Sequence, residues 1–430
     1  MRLILCLILT VSCKARAEEI IKKDELLNLG RCIEIAIKKQ PDIMAAFYNV
    51  DASKSRVGQA KANYYPQVNS NYNYSRISPI TTSGGGNSSS AGNDYNQYSS
   101  AITLSQDIFD FRKTSTQVAI QKLNLDSSRL ELEDTIELII LNVKESYYGL
   151  LKAQRNRDVG EETVKQYQQH LEQAKGFYKV GTKPKFDVIK AEVDLSNAKL
   201  SLIQLENTFQ IAKVTLNNAL GVPKAPEYSI EDNLSFQKYE AALEDSIEKA
   251  YKNRPDLQSI IAKKRAAKES IELSKKGYYP ILTGNAAYNW LGDEYPMGHG
   301  WNAGVGVSFP IFSGFLTKYQ VDESKANFYV LQNNEESLKQ TILLEVQQSF
   351  LTMRAAEEAI PTAEIAVKQA EENLRIANGR YAVGVGNPLE VTDAEVAMSN
   401  AKTNYNQALY VYKVAIASLE KAVGIRSEGK

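Results

Sequence analysis

The chain has 430 residues, enough for two or three ordinary domains, and its 51 Lys and Arg residues balance its 51 Asp and Glu residues. A nucleic-acid-binding protein would normally carry a basic excess, so this balance argues against one. After the first dozen residues there is no apolar run of roughly 18 residues, which argues against a transmembrane helix in the mature chain.

The N-terminus predicts an export signal over residues 1–17. Arg2 precedes a short apolar stretch, and Ala15-Arg16-Ala17 fits a cleavage site, so the mature chain should begin at Glu18. Cys13 leaves a second possibility open, a lipid-modified N-terminal cysteine. Cleavage after Ala17 would leave Cys32 as the only cysteine, so no intrachain disulfide is expected and stability must come from packing.

The rest of the chain is predicted to be two copies of one structural unit. Tyr64-Tyr65-Pro66 recurs 214 residues later as Tyr278-Tyr279-Pro280, and Tyr178-Lys179-Val180-Gly181 recurs 203 residues later as Tyr381-Ala382-Val383-Gly384. The offset changes between about residues 75 and 98, where segment 81–90 has the Ser- and Gly-rich composition of a loop. A length change confined to a loop is what a duplicated unit should show.

In chain order, both halves have the same predicted elements. The first repeat, 18–220, comprises a helix at about 32–62, a strand pair at 63–109, a long helix at 110–180 and a return helix at 184–220. After a connector at 221–245, the second repeat, 246–425, comprises a helix that already begins at about 241 and runs to 277, a strand pair at 278–312, a long helix at 313–383 and a return helix at 387–423, with a tail at 426–430. Gly160 and Pro361 are expected to mark a kink or break in the long helices.

The return helices carry apolar residues at alternating intervals of three and four. The first series is Val188, Ala191, Leu195, Ala198, Leu202, Leu205, Phe209, Ala212, Leu216 and Ala219. A matching series runs from Val391 to Ala422. Such spacing over five heptads predicts that each return helix packs as a coiled coil on the long helix before it.

The segments between the helices alternate with a period of two, which predicts four strands. One face is apolar and aromatic, and the other is almost uncharged. We expect the polar face to line a lumen through Asn69, Asn71, Asn73, Thr103, Asn285 and Asn302. This pattern is typical of a membrane β-barrel with a wet interior, and a soluble antiparallel sheet with one buried face is the alternative. Four strands cannot close a barrel, since the smallest membrane barrels have about eight, so a symmetric oligomer is expected.

Together these features resemble the TolC-like outer-membrane efflux protein family over essentially the whole mature chain. The resemblance rests on the duplicated halves, the strand pairs and the turn signatures that begin at Tyr178 and Tyr381. It implies a mainly α fold with membrane β, in which long antiparallel coiled-coil helices accompany four strands per chain in a trimeric twelve-stranded barrel. It also implies an outer-membrane location extending into the periplasm, and a passive exit duct for efflux or type I secretion. Its partners would be a periplasmic adaptor and an inner-membrane transporter.

The resemblance also assigns roles to the turns between the long and return helices. Glu390 and Asp393 match acidic residues that ring a constriction in the family. Asp187 matches an acidic position in the first turn, where Lys190 is expected to neutralise it. The alternative for these residues is that they are solvated acids favoured by the helix dipole. The residues expected to dock the adaptor are Tyr178, Gly181, Thr182, Tyr381, Gly384 and Val385.

No residue pattern in the sequence is typical of an enzyme. His170 and His299 lack metal-ligand spacing and a nearby nucleophile motif, and both are expected on the surface. We therefore expect neither catalysis nor a cofactor. A coiled-coil structural or adhesin-like surface protein, without a channel, is the alternative function.

Overall fold

The computed structural model describes residues 21–78 and 94–425, so the predictions for the signal at 1–17, the loop at 81–90 and the tail at 426–430 lie outside it. The first half comprises β1 (Glu25–Leu27), α1 (Leu29–Lys39), α2 (Pro41–Ala62), β2 (Gln67–Ile77), β3 (Tyr95–Phe109), α3 (Lys113–Lys179) and α4 (Lys185–Ala219). The second comprises β4 (Tyr228–Ile230), α5 (Leu243–Asn253), α6 (Pro255–Lys275), a 3₁₀ turn (Lys276–Tyr278), β5 (Ile281–Gly292), β6 (Gly298–Ser308), α7 (Leu316–Ala382) and α8 (Pro388–Val423).

The opening helix of each half is broken in two, so the predictions of single helices at 32–62 and 241–277 were wrong. Gln40 adopts an extended conformation between α1 and α2, and Arg254 does the same between α5 and α6. Each residue precedes a proline, whose ring disfavours the helical conformation of the residue before it. The proline itself then occupies the first turn of the next helix, where its missing N–H is not needed.

The same two residues hold the ends of the return helices. The Gln40 side chain donates hydrogen bonds to the carbonyl oxygens of Asn218 and Ala219, both at 3.2 Å. In the second half the Arg254 guanidinium donates to the carbonyl oxygen of Ala422 at 3.5 Å. The last carbonyls of a helix have no partner within the helix, so these bonds fix each return helix against the break in the opening helix.

The long helices α3 and α7 have 67 residues each and are therefore about 100 Å long. Each packs on the return helix that follows it, which confirms the coiled-coil prediction. Both helices continue through Gly160 and Pro361, so neither position breaks its helix. A Cβ atom on Gly160 would lie 2.7 Å from Leu205 Cδ1, so this glycine allows α3 and α4 to approach closely.

The largest buried cluster lies around the middle of the long helices. The residues that form its centre are fully or almost fully buried: Leu27, Ile35, Val143, Tyr147, Leu151, Leu216, Leu234, Ile342, Val346, Met353, Leu409, Tyr412 and Leu419. They come from β1, α1, α3, α4, α7, α8 and the segment after β4, so this cluster joins the two halves. Two smaller clusters lie towards the helical turns, one within α3 and α4 and one mainly within α7 and α8.

The four long strands form one antiparallel sheet in the order β2-β3-β5-β6. Its register places Asn69 beside Thr103, Thr103 beside Ala287, and Ala287 beside Asn302. Because partners in a sheet share a face, the polar residues of all four strands lie on one side and the apolar residues on the other. The predicted alternation is therefore confirmed. The outer edges of β2 and β6 have no partner strand among the described residues.

None of the helices in the described part of the chain has the length and hydropathy needed to cross a membrane.

Replacing Gly221 by Ala should lower the melting temperature. Gly221 has φ +70°, and a Cβ atom there would lie 2.8 Å from the carbonyl oxygen of Lys39. Both the strained conformation and the contact with backbone should destabilise the junction, by about 2 kcal/mol. Thermal unfolding followed by circular dichroism measures the effect. Gly58→Ala in α2 is the control, since nothing lies within 4 Å and Ala favours a helix. Equal destabilisation by the two substitutions would contradict the prediction.

Candidate functional site at the hairpin tips

Each long helix and its return helix form a hairpin, hairpin 1 (α3 and α4) and hairpin 2 (α7 and α8). Both turns use a glycine in the left-handed region, Gly181 with φ +74° and Gly384 with φ +85°. The residue after each glycine donates its N–H back into the last helical turn. Thr182 donates to the carbonyl of Phe177 at 3.0 Å, and Val385 donates to that of Arg380 at 3.1 Å. This is a glycine C-cap, which explains the repeated Tyr-x-x-Gly signature.

The two turns differ at several positions, and at one of them hairpin 1 has Lys183 where hairpin 2 has Gly386. A Cβ atom on Gly386 would lie 2.7 Å from the backbone nitrogen of Tyr381, so no side chain fits there. Lys183 donates from Nζ to the carbonyl oxygen of Gly386 at 3.3 Å. This hydrogen bond, which the difference between the repeats makes possible, joins the tips of the two hairpins.

Tyr381 is a buried contact between the hairpins. Its ring centroid lies 4.7 Å from that of His170 and 5.6 Å from that of Phe177, both on α3. No residue that the structure describes forms a hydrogen bond with its hydroxyl. We expected this residue on a docking surface, but α3 covers it, so it holds the hairpins together instead. Tyr178, its equivalent in hairpin 1, is exposed.

The surface position predicted for His170 was wrong. Its side chain is almost fully buried on α3, next to Tyr381. Burial lowers the pKa of His170, against the opposite influence of the Asp194 and Asp187 carboxylates, so the imidazole is held in its neutral form. His299 is exposed as expected and belongs to β6.

The acidic residues at the turns lie in different surroundings. Glu390 is exposed and forms an ion pair with Arg380, whose Nε lies 3.2 Å from Oε2 of Glu390. Asp393 is also exposed, and within the described part of the chain no ion pair reaches it. Asp187 is buried on α4. Of the three, Asp393 therefore has the open carboxylate with no nearby countercharge.

Lys190 does not neutralise Asp187, contrary to expectation. Its ammonium group contacts both carboxylate oxygens of Asp194, at 2.6 and 2.7 Å, because residues four apart lie on the same face of a helix. Asp194 also accepts a hydrogen bond of 3.0 Å from Thr392 on α8. Asp194 therefore links the hairpins, a role that the sequence reading missed.

Glu395 is the second residue that the sequence reading missed. It lies on α8, facing α3, and is almost fully buried. Burial raises its pKa to about 7, and the negative charge of Glu162 adds to the shift, while Lys402 opposes it. The Gln166 carboxamide, turned with its nitrogen towards Glu395, donates to the carboxylate. Its signal in the sequence was weak: it is an acid directly after Ala394, which belongs to the apolar series of α8.

Farther from the tips, α3 and α8 are joined by a series of polar contacts that we call the polar seam. Its members are Lys144 with Glu420 (2.6 Å), Lys152 with Gln407 (3.2 Å), Asn156 with Asn406 (2.9 Å) and Glu162 with Lys402 (2.5 Å). The site is thus a contact between two hairpins, polar along its length and closed at the tips by Tyr381. Across residues 21–78 and 94–425, His, Cys, Asp and Glu side chains form no group of three that could hold a metal ion.

Replacing Glu395 by Gln should remove a pH dependence from the contact between the hairpins. The pKa of Glu395 is about 7 when the hairpins are packed and returns towards 4.5 when water reaches it. The contact should be strongest below pH 4.5, weaken as the pH rises to 7, and change no further above that value. The full effect is about 3 kcal/mol, at 1.4 kcal/mol per pKa unit.

Hydrogen exchange of segment 389–400 between about pH 5 and pH 8, corrected for the intrinsic rate, measures this effect. His170 acts in the opposite direction, because separation restores its ordinary pKa of 6.5 and so favours opening as the pH falls. The two proteins compared, one with Glu395 and one with Glu395→Gln, therefore both also carry His170→Gln. Exchange should quicken with pH only where Glu395 is present, and the same slope in both proteins would refute the role of this carboxyl.

Known proteins resemble this chain over most of its length. The outer membrane efflux protein family matches residues 32–222 and 246–425. The outer membrane protein TolC of Vibrio cholerae is 22% identical over 419 residues, covering 93% of this chain and 91% of TolC. The alkaline protease secretion protein AprF of Pseudomonas aeruginosa is also 22% identical, covering 92% and 84%. Among solved structures, the Campylobacter jejuni CmeC outer membrane channel has a TM-score of 0.81 at 17% identity, covering 92% and 85%.

The family match spans both halves of the chain, and the solved channel shares its fold of long helices and strands. The chain therefore belongs to the outer membrane efflux protein family, and it is an outer-membrane channel protein with a helical tunnel that extends into the periplasm.

Proposed function

We propose that the protein is one subunit of a homotrimeric, passive exit duct, which receives its cargo from a periplasmic adaptor and an inner-membrane transporter. The observation that carries this proposal is the antiparallel sheet with two distinct faces and two open edges, continuous with helices about 100 Å long. Relatives named for efflux of toluene and for secretion of alkaline protease support a duct that serves either kind of transport.

The open edges of β2 and β6 support the trimer. Unpaired backbone groups at a sheet edge are costly within a membrane, so the edges must pair with those of other copies. Two copies would give eight strands, and a barrel of about eight strands is filled by its own side chains. Three copies would give twelve strands and leave a lumen, which fits an exit duct.

The polar face of the sheet suits the lumen. It carries the expected residues Asn69, Asn71, Asn73, Thr103, Asn285 and Asn302. In the described strands Asp107, at the end near α3, is the single charged residue on this face. The opposite face has Ile102, Leu104, Val305 and Val307, together with aromatic side chains, and suits contact with lipid.

An arginine should be harmful on the apolar face and tolerated on the polar face. Ile102→Arg should destabilise the folded barrel by about 2–4 kcal/mol if it lies near the middle of the membrane. Thr103→Arg, one residue farther along the same strand, should place its charge in water and cost far less. Urea-induced unfolding of the protein in lipid vesicles compares the two. Val305→Arg and Gly306→Arg repeat the pair on β6, and a larger loss at the polar positions would reverse the assignment.

For the constriction, we propose that Asp393 supplies most of the fixed charge, with Glu390 beside it and Asp187 contributing least. Arg380 already pairs with Glu390, and Asp187 is buried, so Asp393 has the most accessible carboxylate of the three. Three subunits would place three such carboxylates around one axis, and acidic rings favour cations. For the adaptor, exposed Tyr178 and Val385 support a docking role for the turns around Gly181, Thr182 and Gly384.

Planar-bilayer recordings of ion selectivity test this ordering. Asp393→Asn should lower the preference for cations several-fold, and Glu390→Gln should lower it less. Arg380→Gln should raise it by freeing Glu390. Asp187→Asn serves as the control for a buried acid and should leave selectivity nearly unchanged. If the double variant with Glu390→Gln and Asp393→Asn keeps the wild-type preference, these residues are ordinary helix-start acids and the constriction lies elsewhere.

A further inference from the structure

A cavity of about 270 Å³ lies between the two hairpins, where α3, α4 and α8 meet. We call it the hairpin cavity. The residues of its floor are buried: Tyr167, Asp194, Ala198 and Glu395. Its rim is exposed and includes Ser201 on α4 and Asn400 on α8. A small molecule can therefore enter from the solvent and contact both hairpins at once.

Two carboxyl groups line the hairpin cavity, and in the described part of the chain only one of them is paired with an ammonium group. Lys190 Nζ lies 2.6 Å from Oδ1 of Asp194. Glu395 is 2% exposed, and no ion pair with a described residue reaches its carboxylate. Lys402, the lysine nearest to it on α8, pairs instead with Glu162 at 2.5 Å. Glu395 thus lies in the wall of the cavity without a countercharge.

The surroundings of the Tyr167 ring show that the floor of the cavity is electronegative. Burial raises the pKa of the Tyr167 phenol to about 12, and the negative charges of Glu395, Asp194 and Asp393 add to the shift. The Gln166 carboxamide donates to Glu395, but it is neutral and leaves the carboxylate charge in place. The face of an aromatic ring also attracts cations. The cavity therefore favours a positively charged occupant.

The lining favours an ammonium ion over a metal ion. Ca²⁺ and Mg²⁺ need about six or more oxygen ligands, and the described residues contain no group of three His, Cys, Asp or Glu that could hold a metal. A primary ammonium group needs only three acceptors, which Glu395 and the hydroxyl groups of Thr163 and Ser399 can supply. Ala198 and Val396 offer apolar surface to a short alkyl chain. Drug-sized ligands need about 300–1,000 Å³, so the ligand must be small.

We propose that the hairpin cavity binds a small primary ammonium ion, which pairs with Glu395 and contacts both hairpins. Asp194 and Lys190 form the same kind of pair within the chain. A buried carboxylate without a countercharge is destabilising, and either a proton or a bound cation removes that cost. The ion therefore does for the hairpin contact above pH 7 what the proton does below it. One chain forms the whole cavity, so the site does not depend on the trimer.

Titration of the full-length protein with propylammonium chloride, followed by ligand-observed NMR at constant ionic strength, tests the site. Amines of this kind titrate near pH ~10, so the probe stays charged at pH 6 and pH 8. Burial raises the pKa of Glu395 to about 7, Glu162 on α3 adds to the shift, and Lys402 on α8 opposes it. Asp194 and its partner Lys190 face the carboxyl from α4. Because only the ionised carboxyl binds, Kd should be about tenfold lower at pH 8 than at pH 6.

Glu395→Gln should weaken binding at pH 8 at least tenfold and remove its dependence on pH. A dependence that came from His170 would persist in this variant and would count against the proposal. Equal Kd values for the variant and the parent protein at pH 8 would overturn it. At pH 8 the probe should also slow hydrogen exchange of segment 389–400 in the parent protein and leave the variant unchanged.

A second variant keeps the carboxyl and blocks the cavity, since Glu395→Gln also changes the hairpin contact. Ser201→Leu places a bulky side chain at the exposed rim and should abolish binding. Ser196→Leu, at an exposed position of α4 outside the cavity, is the matched control and should bind like the parent protein. If the two leucine variants bind equally well, the ion does not occupy this cavity.

Two further measurements separate this site from other cation sites. Glu390→Gln combined with Asp393→Asn removes the exposed acids of the second turn and should leave binding at pH 8 within about twofold of the parent value. A loss of binding there would place the ion at the turn instead. Mg²⁺, which gives up its water reluctantly, should not displace propylammonium at equal concentration. Displacement would show a site for cations in general and would refute the preference for an ammonium group.

Discussion

Each helix of 67 residues is too long for its return helix alone to cover, and the fold depends on how the rest of its length is covered. The return helices have 35 and 36 residues, so about half of each long helix needs a second partner. That partner is α2 or α6, which packs on the other half and begins where the return helix ends. The break before Pro41 or Pro255 therefore occurs where two helices must meet. Gln40 and Arg254 use the break to bond the last carbonyls of α4 and α8.

Because both junctions lie beside the large buried cluster, the middle of the molecule is the firmest part and the hairpins extend from it. Towards the tips the buried clusters are small, and the contact between the hairpins depends on polar pairs, on Tyr381 and on the buried carboxyl of Glu395. Polar contacts of this kind contribute little net stability compared with apolar burial, and their strength depends on ionisation. The molecule is therefore firm at mid-length, and the contact between its hairpins weakens towards the tips.

The sheet, like the helices, leaves part of its surface uncovered in a single chain. Its hydrogen bonds are satisfied within the chain except at the edges of β2 and β6, and its faces are separated into apolar and amide-rich sides. Helices and sheet thus each leave surface uncovered in a single chain: strand edges that no described strand pairs with, and exposed apolar side chains such as Ile203 on α4 and Leu351 on α7.

The sequence by itself determined the features that depend on local periodicity. The two repeats, the coiled-coil seams, the two faces of the sheet and the glycine turns followed from the spacing of residue types, because the period of a helix or strand decides which residues share a face. Spacing alone did not show which faces meet. The burial of His170 and Tyr381, the hydrogen bond from Thr392 to Asp194, and the raised pKa of Glu395 all depend on the position of hairpin 2 beside hairpin 1. That position is set by contacts between residues some 200 positions apart, and the sequence pattern within each helix carries no record of them.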